Sequence, residues 1–491
     1  MAEKAATERR VSLGGLAPLR IAKVPTFIGI LAAMGPGFIW ASMAQGSGEL
    51  IWWPRLVAKY GASFIGILLP ACIAQYFVNQ EIARYTITTG EGLFQGFARV
   101  SKIFATVMWI MLLLSFAWFG GMASAGGTAL FSLTNFPPGW TPRAGTLFWG
   151  YLTIAVFVAA LTFGRVVYLV IEWFMKVVVV ICVAGLLIVI WRPEVLSTAG
   201  AFWAAYFNPI RIFTEGLPAN WDPGDFKMLL TAICFAGMGG FFNVMYSYWF
   251  RDKGIGMGAL VGRVTSPITG KPEAIPEVGY AFEDTPENKR NYLDWIRYLR
   301  IDNALGVVIN LATVSLLCWL SWSLLLPKGE VPAGWQIAVV QARFFEFAWG
   351  PIGRAIWLIV AAAFLADTWL GITDASSRMH ADYFLAMFDW AKRFTFRQWY
   401  YIFVAILTVI SSITMALAAP GPLLILQGLF NFVSMAIYTP ILIYLNYVMI
   451  PKAFPKWTRP SNWALVLVSI VSAFYLILSI IYLVGLFTGA F

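Results

Sequence analysis

Eleven long apolar runs constrain this chain more than any other feature. They lie at about residues 28–55, 62–83, 103–131, 145–163, 166–191, 228–249, 301–327, 354–375, 398–419, 421–449 and 462–487. Each is near or above the ~20 residues that cross a bilayer as a helix. Backbone polar groups in hydrocarbon must be satisfied internally, which open strands cannot do, so the runs predict helices. The first run lacks a signal-peptide cleavage pattern and continues well past a signal's length, so it is expected to be retained. Composition agrees: 12% of the 491 residues are charged and 60% are hydrophobic. A soluble domain carries about 25% charged residues, so a soluble enzyme, a nucleic-acid-binding protein and a disordered scaffold all fit poorly. The expected class is an all-α polytopic membrane protein with about 11 transmembrane helices.

The chain has 34 Lys+Arg and a net charge of +10. With the N-terminus inside, the cytoplasmic segments hold 24 of these cations and the external segments hold 9, with Lys176 inside a span. That split predicts a cytoplasmic N-terminus and an external C-terminus. The positive charge therefore reads as a topology signal, with no nucleic-acid partner. Cys72, Cys182, Cys234 and Cys318 fall inside spans without a CxxC pair and are read as buried thiols. The expected organisation is a cytoplasmic tail (1–27), a first five-helix unit (28–191) and an external loop (192–227). A second five-helix unit (228–449) follows, carrying a cytoplasmic loop at 250–299, and then a cytoplasmic loop and span eleven (450–491). The amphipathic segment 335–348 is placed at the external interface.

Function in such a chain is expected where backbone or polar groups interrupt a span. Span one contains Gly46-Ser47-Gly48-Glu49, and span six contains Ala236-Gly237-Met238-Gly239-Gly240. Gly costs about 1 kcal/mol against Ala inside a helix. Two such clusters five spans apart fit discontinuous helices in two repeats. Gly126 and Gly127 in span three are read as close helix packing. A carboxylate at the break of span one is costly without a cation or partner. Unwound backbone there would add carbonyls, giving a hard, oxygen-only cation site. Among the other intramembrane polar residues, Glu172 and Lys176 read as an i,i+4 ion pair, and Glu81 and Arg84 as a pair near a span end. Asp367 and Asp374 share one face of span eight, where lining a path and capping packing are equally open readings.

The residues also resemble a known family. Gly35-Pro36-Gly37-Phe38 followed by the break ending in Glu49 resembles span one of the Nramp divalent-metal transporters, which carry Gly-Pro-Gly-Phe and then Asp-Pro-Gly-Asn. Ala83-Arg84, Ile87 and Thr89-Gly90 resemble the end of Nramp span two, Ile309-Asn310-Leu311-Ala312 span seven, and Gln427 with Pro440 span ten. The similarity runs from about residue 28 to 450. It implies the two-repeat LeuT-like fold, with spans 1–5 and 6–10 as inverted repeats, helices 1 and 6 discontinuous, and alternating access around a midplane site.

The departures are informative. The family's Asp is Gly46 here, and its Asn is Glu49. The family's span six reads Ala-x-x-Met-Pro-His, but no Pro or His follows here. The register against its Met stays open among Ala236, Gly237, Met238 and Gly239. Leu114, Gly121 and Ser124 stand where the family's span-three acids fall, and the only histidine is His380. These losses resemble the distant prokaryotic branch of Nramp-related magnesium transporters. Oxygen ligands suit Mg²⁺ and Mn²⁺, whereas thioethers select softer ions.

The expected function is thus uptake of Mg²⁺, with Mn²⁺, through the plasma membrane of a prokaryote without proton coupling. The rival is a proton-coupled transition-metal transporter of the same fold, with Met238 as soft ligand. Glu49 is the expected principal metal ligand. Gly46, Ser47 and Gly48 would give backbone or hydroxyl oxygens, Ala236 and Gly237 carbonyls, and Gln427 and Asn431 side-chain contacts. No cofactor and no obligate protein partner are expected beyond the ion and the lipid bilayer. With one His, no Cys pair and no GxSxG, the usual catalytic sets are absent.

Overall fold

The computed structural model describes residues 10–164, 167–271 and 273–489. The chain is an integral, polytopic helical membrane protein. Among the described residues, seven helical stretches are long and apolar enough to cross a membrane, and they hold spans three, four and seven to eleven. The other four depart from that pattern for identifiable reasons. Span one is interrupted by a π-helix at Gln45–Trp52. Span two, Ile65–Thr89, carries Gln75, Asn79, Gln80, Glu81 and Arg84 on its buried surface. Span five, Val167–Val189, is described only in part, with an apolar stretch at Lys176–Val189. Span six is divided into Phe226–Cys234 and Phe241–Lys253.

The helix ends follow local capping chemistry. Thr285 accepts from the Asn288 N–H with Pro286 at the first helical position, and so starts a 35-residue helix, Pro286–Leu320, as Pro and a hydroxyl cap together favour. The segment 250–299, expected as one loop, is therefore shorter: helix occupies both of its ends. Thr395 and Gln398 form a capping box at the start of span nine, Phe396–Leu417. The expected interfacial segment 335–348 mixes covered and open positions, with Phe344 and Phe345 buried and Arg343 and Phe347 exposed. It forms short turns before Arg343, and Phe344 and Phe345 pack fully buried against Trp357.

Spans three and four approach through glycine. A Cβ at Gly127 would meet the Thr146 carbonyl, and one at Gly126 would lie 3.3 Å from the Ala362 carbonyl of span eight. This is small-residue packing.

The face carrying the N-terminal tail is laced by polar contacts. Strands Arg10–Val11, Leu19–Ile21 and Tyr280–Ala281 form one small sheet. Buried Arg99 pairs with Glu91 at 2.6 Å and donates to the carbonyls of Leu13 and Ala17. The tail continues onto the long helix, where Val24 N–H meets Asn288 and the Trp295 indole donates to Pro25. A second buried lattice joins spans six, eight and nine. Arg378 pairs with Asp374 and Asp252, Arg251 pairs with Asp382, and Tyr400 donates to Asp374. Asp374 thus belongs to packing. Glu172 pairs with Lys176 at 2.5 Å and also with Lys253, and Arg84 pairs with Glu81. All four cysteines are free and buried.

Candidate functional site

Span six breaks because its sequence places three glycines where the backbone turns left-handed. Gly237, Gly239 and Gly240 have φ of 118°, 63° and 57°, a region open to glycine at little cost. The break frees backbone groups at membrane depth, and side chains from spans two, six and ten take them up. Gln75 donates to the Cys234 carbonyl at 3.2 Å, and Asn243 accepts from Gly239 N–H at 3.2 Å. Asn431 accepts from Phe241 N–H at 2.8 Å, and Tyr438 donates to the Gly240 carbonyl at 2.9 Å. Asn243 also donates to Gln75, and Gln75 donates to Tyr475 of span eleven. Among the described residues, the carbonyls of Ala236 and Gly237 accept no hydrogen bond.

Span one differs from its expected form. Gly46–Glu49 does not unwind; it widens into a π-helix, and the Gly48 carbonyl accepts from Trp53 N–H five residues on. The physical reason is that lipid depth penalises unbonded backbone, and a π-helix makes room for a ligand while keeping its bonds. The carbonyls expected to be released at Gly46, Ser47 and Gly48 therefore lie within a bonded helix. The Ser47 side chain falls outside those described. Gly46 and Gly48 instead allow close approach: a Cβ at Gly46 would meet Thr368, and one at Gly48 would meet the Phe235 carbonyl. The two interrupted spans touch backbone to backbone at that point.

Glu49 lies at this crossing with no solvent exposure. Its Oε1 accepts from Gly237 N–H at 2.6 Å and from Asn310 Nδ2 at 2.9 Å, while its Oε2 has no partner among the described residues. Gln45 Nε2 donates to Asn310 Oδ1 at 3.0 Å. Both amide atoms of buried Gln427 are also unpartnered. Asn431, expected to touch an ion, has both ends occupied: its Oδ1 holds Phe241 N–H, and its Nδ2 donates to the Gln427 carbonyl. It braces the break instead. Met238 is buried at the turn. The structure thus joins Glu49 to the span-six break directly. Sequence reasoning assigned no role here to Asn310, Gln45, Gln75, Asn243 or Tyr438. Their signal was an amide or hydroxyl at membrane depth.

Among the described residues, no three His, Cys, Asp or Glu side chains cluster as a metal cage. An ion here would have one carboxylate oxygen, amide oxygens, backbone carbonyls and its own water. His380 is remote from this arrangement. It accepts from the Trp109 indole at 2.9 Å and stacks on Phe403. Asp367 lies beside span one, accepting from Ser42 Oγ at 2.5 Å and from Thr368 at 3.3 Å.

The fold has solved counterparts. The fold is LeuT-like. A structure of the Eremococcus coleocola manganese transporter, a histidine-to-alanine variant, matches with a TM-score of 0.65 at 12% identity, covering 93% of this chain and 88% of its own. MhsT in complex with L-phenylalanine matches at 0.51 and 14% identity, over 95% of this chain and 99% of its own. Mhp1, a nucleobase-cation-symport-1 family transporter in a closed conformation, matches at 0.52 and 14% identity, over 95% and 93%. No family model matches the chain. An uncharacterized protein of Pasteurella multocida is 32% identical over 135 residues, 27% of this chain; the match spans 30% of that relative's length.

Proposed function

We propose that the chain is a secondary-type transporter that carries divalent metal ions, Mg²⁺ and also Mn²⁺, into a prokaryotic cell by alternating access and without proton coupling. The observation that carries this reading is Glu49 Oε2, a buried carboxylate oxygen without a partner among the described residues, where the two interrupted helices cross. A lone acid at membrane depth calls for a cation. Carboxylate, carbonyl, amide and water oxygens suit Mg²⁺ and Mn²⁺ better than soft ions. Glu49 is the principal ligand. The Ala236 and Gly237 carbonyls and the Gln427 amide complete the shell with water, and Met238, Gly46 and Gly48 form its walls. The manganese transporter of like fold supports a metal-ion cargo. The units 28–191 and 228–449 move against each other around this point, with the N-terminus inside and the C-terminus outside.

A divalent ion entering at −100 mV gains about 4.6 kcal/mol. That supports accumulation over roughly three decades of concentration, so the driving force needs no proton. The test is flux in proteoliposomes with an internal pH dye. Glu49→Ala abolishes Mg²⁺ flux while the protein remains monodisperse; near-normal flux would refute the site. One observation favours the rival, a proton-coupled transition-metal transporter. Asp367 is fully buried against span one, with hydroxyl partners and no ion pair among the described residues. Internal acidification during Mn²⁺ entry would establish that rival.

A further inference from the structure

We infer that Asn310 sets the site's discrimination against Ca²⁺ by leaving Glu49 a single free oxygen. The inference rests on Glu49 being the ion's ligand and adds to that reading a second residue with a separate task.

An ionised carboxylate only accepts hydrogen bonds, and an Asn amide has distinct donor and acceptor ends. Glu49 Oε1 is held by two N–H donors, Gly237 N at 2.6 Å and Asn310 Nδ2 at 2.9 Å. The orientation of the Asn310 amide is favoured from its other end. Gln45 donates to its Oδ1 at 3.0 Å, which turns Nδ2 toward Glu49. All three side chains are buried, with Glu49 and Asn310 at 0% exposure and Gln45 at 1%. Of the two Glu49 oxygens, Oε2 is left without a partner among the described residues.

Such a carboxylate is built for monodentate coordination. Oε1 already accepts two N–H bonds, so an ion that takes both oxygens must displace a buried donor from it, at a cost in free energy. Mg²⁺ is content with one carboxylate oxygen. It demands octahedral geometry at about 2.0–2.1 Å and keeps several waters. Ca²⁺ takes six to eight oxygens at about 2.3–2.6 Å and commonly draws on both oxygens of a carboxylate. Tying up Oε1 removes a ligand that Ca²⁺ would use and Mg²⁺ does not need. The Gly237 donor belongs to the backbone. The Asn310 donor is the one that a side-chain change removes.

The test compares initial rates of Mg²⁺, Mn²⁺ and Ca²⁺ entry into proteoliposomes carrying the full chain, Asn310→Ala, Gln45→Leu or Glu49→Ala. Size-exclusion chromatography checks each protein for folding. The unaltered protein carries Mg²⁺ and Mn²⁺ and little Ca²⁺. Asn310→Ala raises the Ca²⁺/Mg²⁺ rate ratio by about tenfold, the equivalent of one hydrogen bond to a charged group. Gln45→Leu leaves Asn310 in place but unoriented, and gives a smaller rise in the same direction. It keeps the inference testable if Asn310→Ala does not fold. Equal loss of all three ions with an unchanged ratio would make Asn310 a packing residue and overturn the inference. So would an unaltered protein that carries Ca²⁺ as readily as Mg²⁺. Glu49→Ala separates the two readings: Mg²⁺ entry surviving in that variant removes the site itself, whatever the Asn310 result.

Discussion

Gly48 shows how much one missing side chain can decide. A Cβ there would run into the Phe235 carbonyl and side chain, forcing the two interrupted spans apart at their point of contact. Overpacking of this kind costs about 1–3 kcal/mol. Gly48→Ala is expected to lower the thermal midpoint in detergent accordingly and to cut Mg²⁺ flux at least tenfold, measured in the same proteoliposomes. The sequence made Glu49 legible, because an acid beside glycines in an apolar run is costly unless a cation or a donor meets it. It did not reveal what Gly48 or Asn431 does. A glycine that bends a chain and one that lets two backbones meet look alike in sequence. An amide that binds an ion and one that caps a helix start also look alike.

At the scale of the helix, two glycine-rich interruptions behave differently. Span six turns through left-handed residues and opens, whereas span one widens into a π-helix and stays bonded. Span six has three glycines within four positions, and neighbouring side chains take up its freed groups. Span one places Ser47 and Glu49 next to its glycines, and both tolerate helical backbone. The positions of both interruptions were readable, but their kinds depended on which side chains from other spans come to meet them. Asn243 ties the break to those spans, since it touches Gly239, Gln75 and Trp40 at once. Removing it in Asn243→Ala leaves buried donors unsatisfied, each worth about 1–3 kcal/mol. The expected result is a loss of thermal stability in detergent and a site that no longer retains ion. A full-stability variant would show that water replaces the amide.

Across the whole molecule, the apolar runs and the helix count followed from hydropathy, because lipid imposes one rule on every span. The lacing of the tail face did not, since it depends on which loops meet in space. There, Glu91 and Arg99 hold the N-terminal strand segment against the helices. Burial opposes the charge on Glu91, but the Arg99 guanidinium and the hydrogen bonds around it outweigh that, and the carboxyl is held below its usual range. Its contribution to stability is therefore complete above about pH 4.3, the value for free Glu, and fades as pH falls through the lower folded value. Arg99→Ala strands a buried carboxylate and is expected to cost about 3–5 kcal/mol. Faster proteolysis of the first 25 residues would report the released tail, and an unchanged digestion pattern would count against the latch.

The contact between Gln75 and Tyr475 has a consequence for biogenesis. These residues lie 400 positions apart, and their hydrogen bond completes the bracing of the span-six turn. A ribosome makes Gln75 early and Tyr475 very late. Throughout that interval the span-six turn stands in the membrane with the Gln75 amide short of its second acceptor. Insertion of the last helix is thus the step that completes the bracing of that turn. A cell that tests for a docked eleventh helix would be testing for a completed span-six turn.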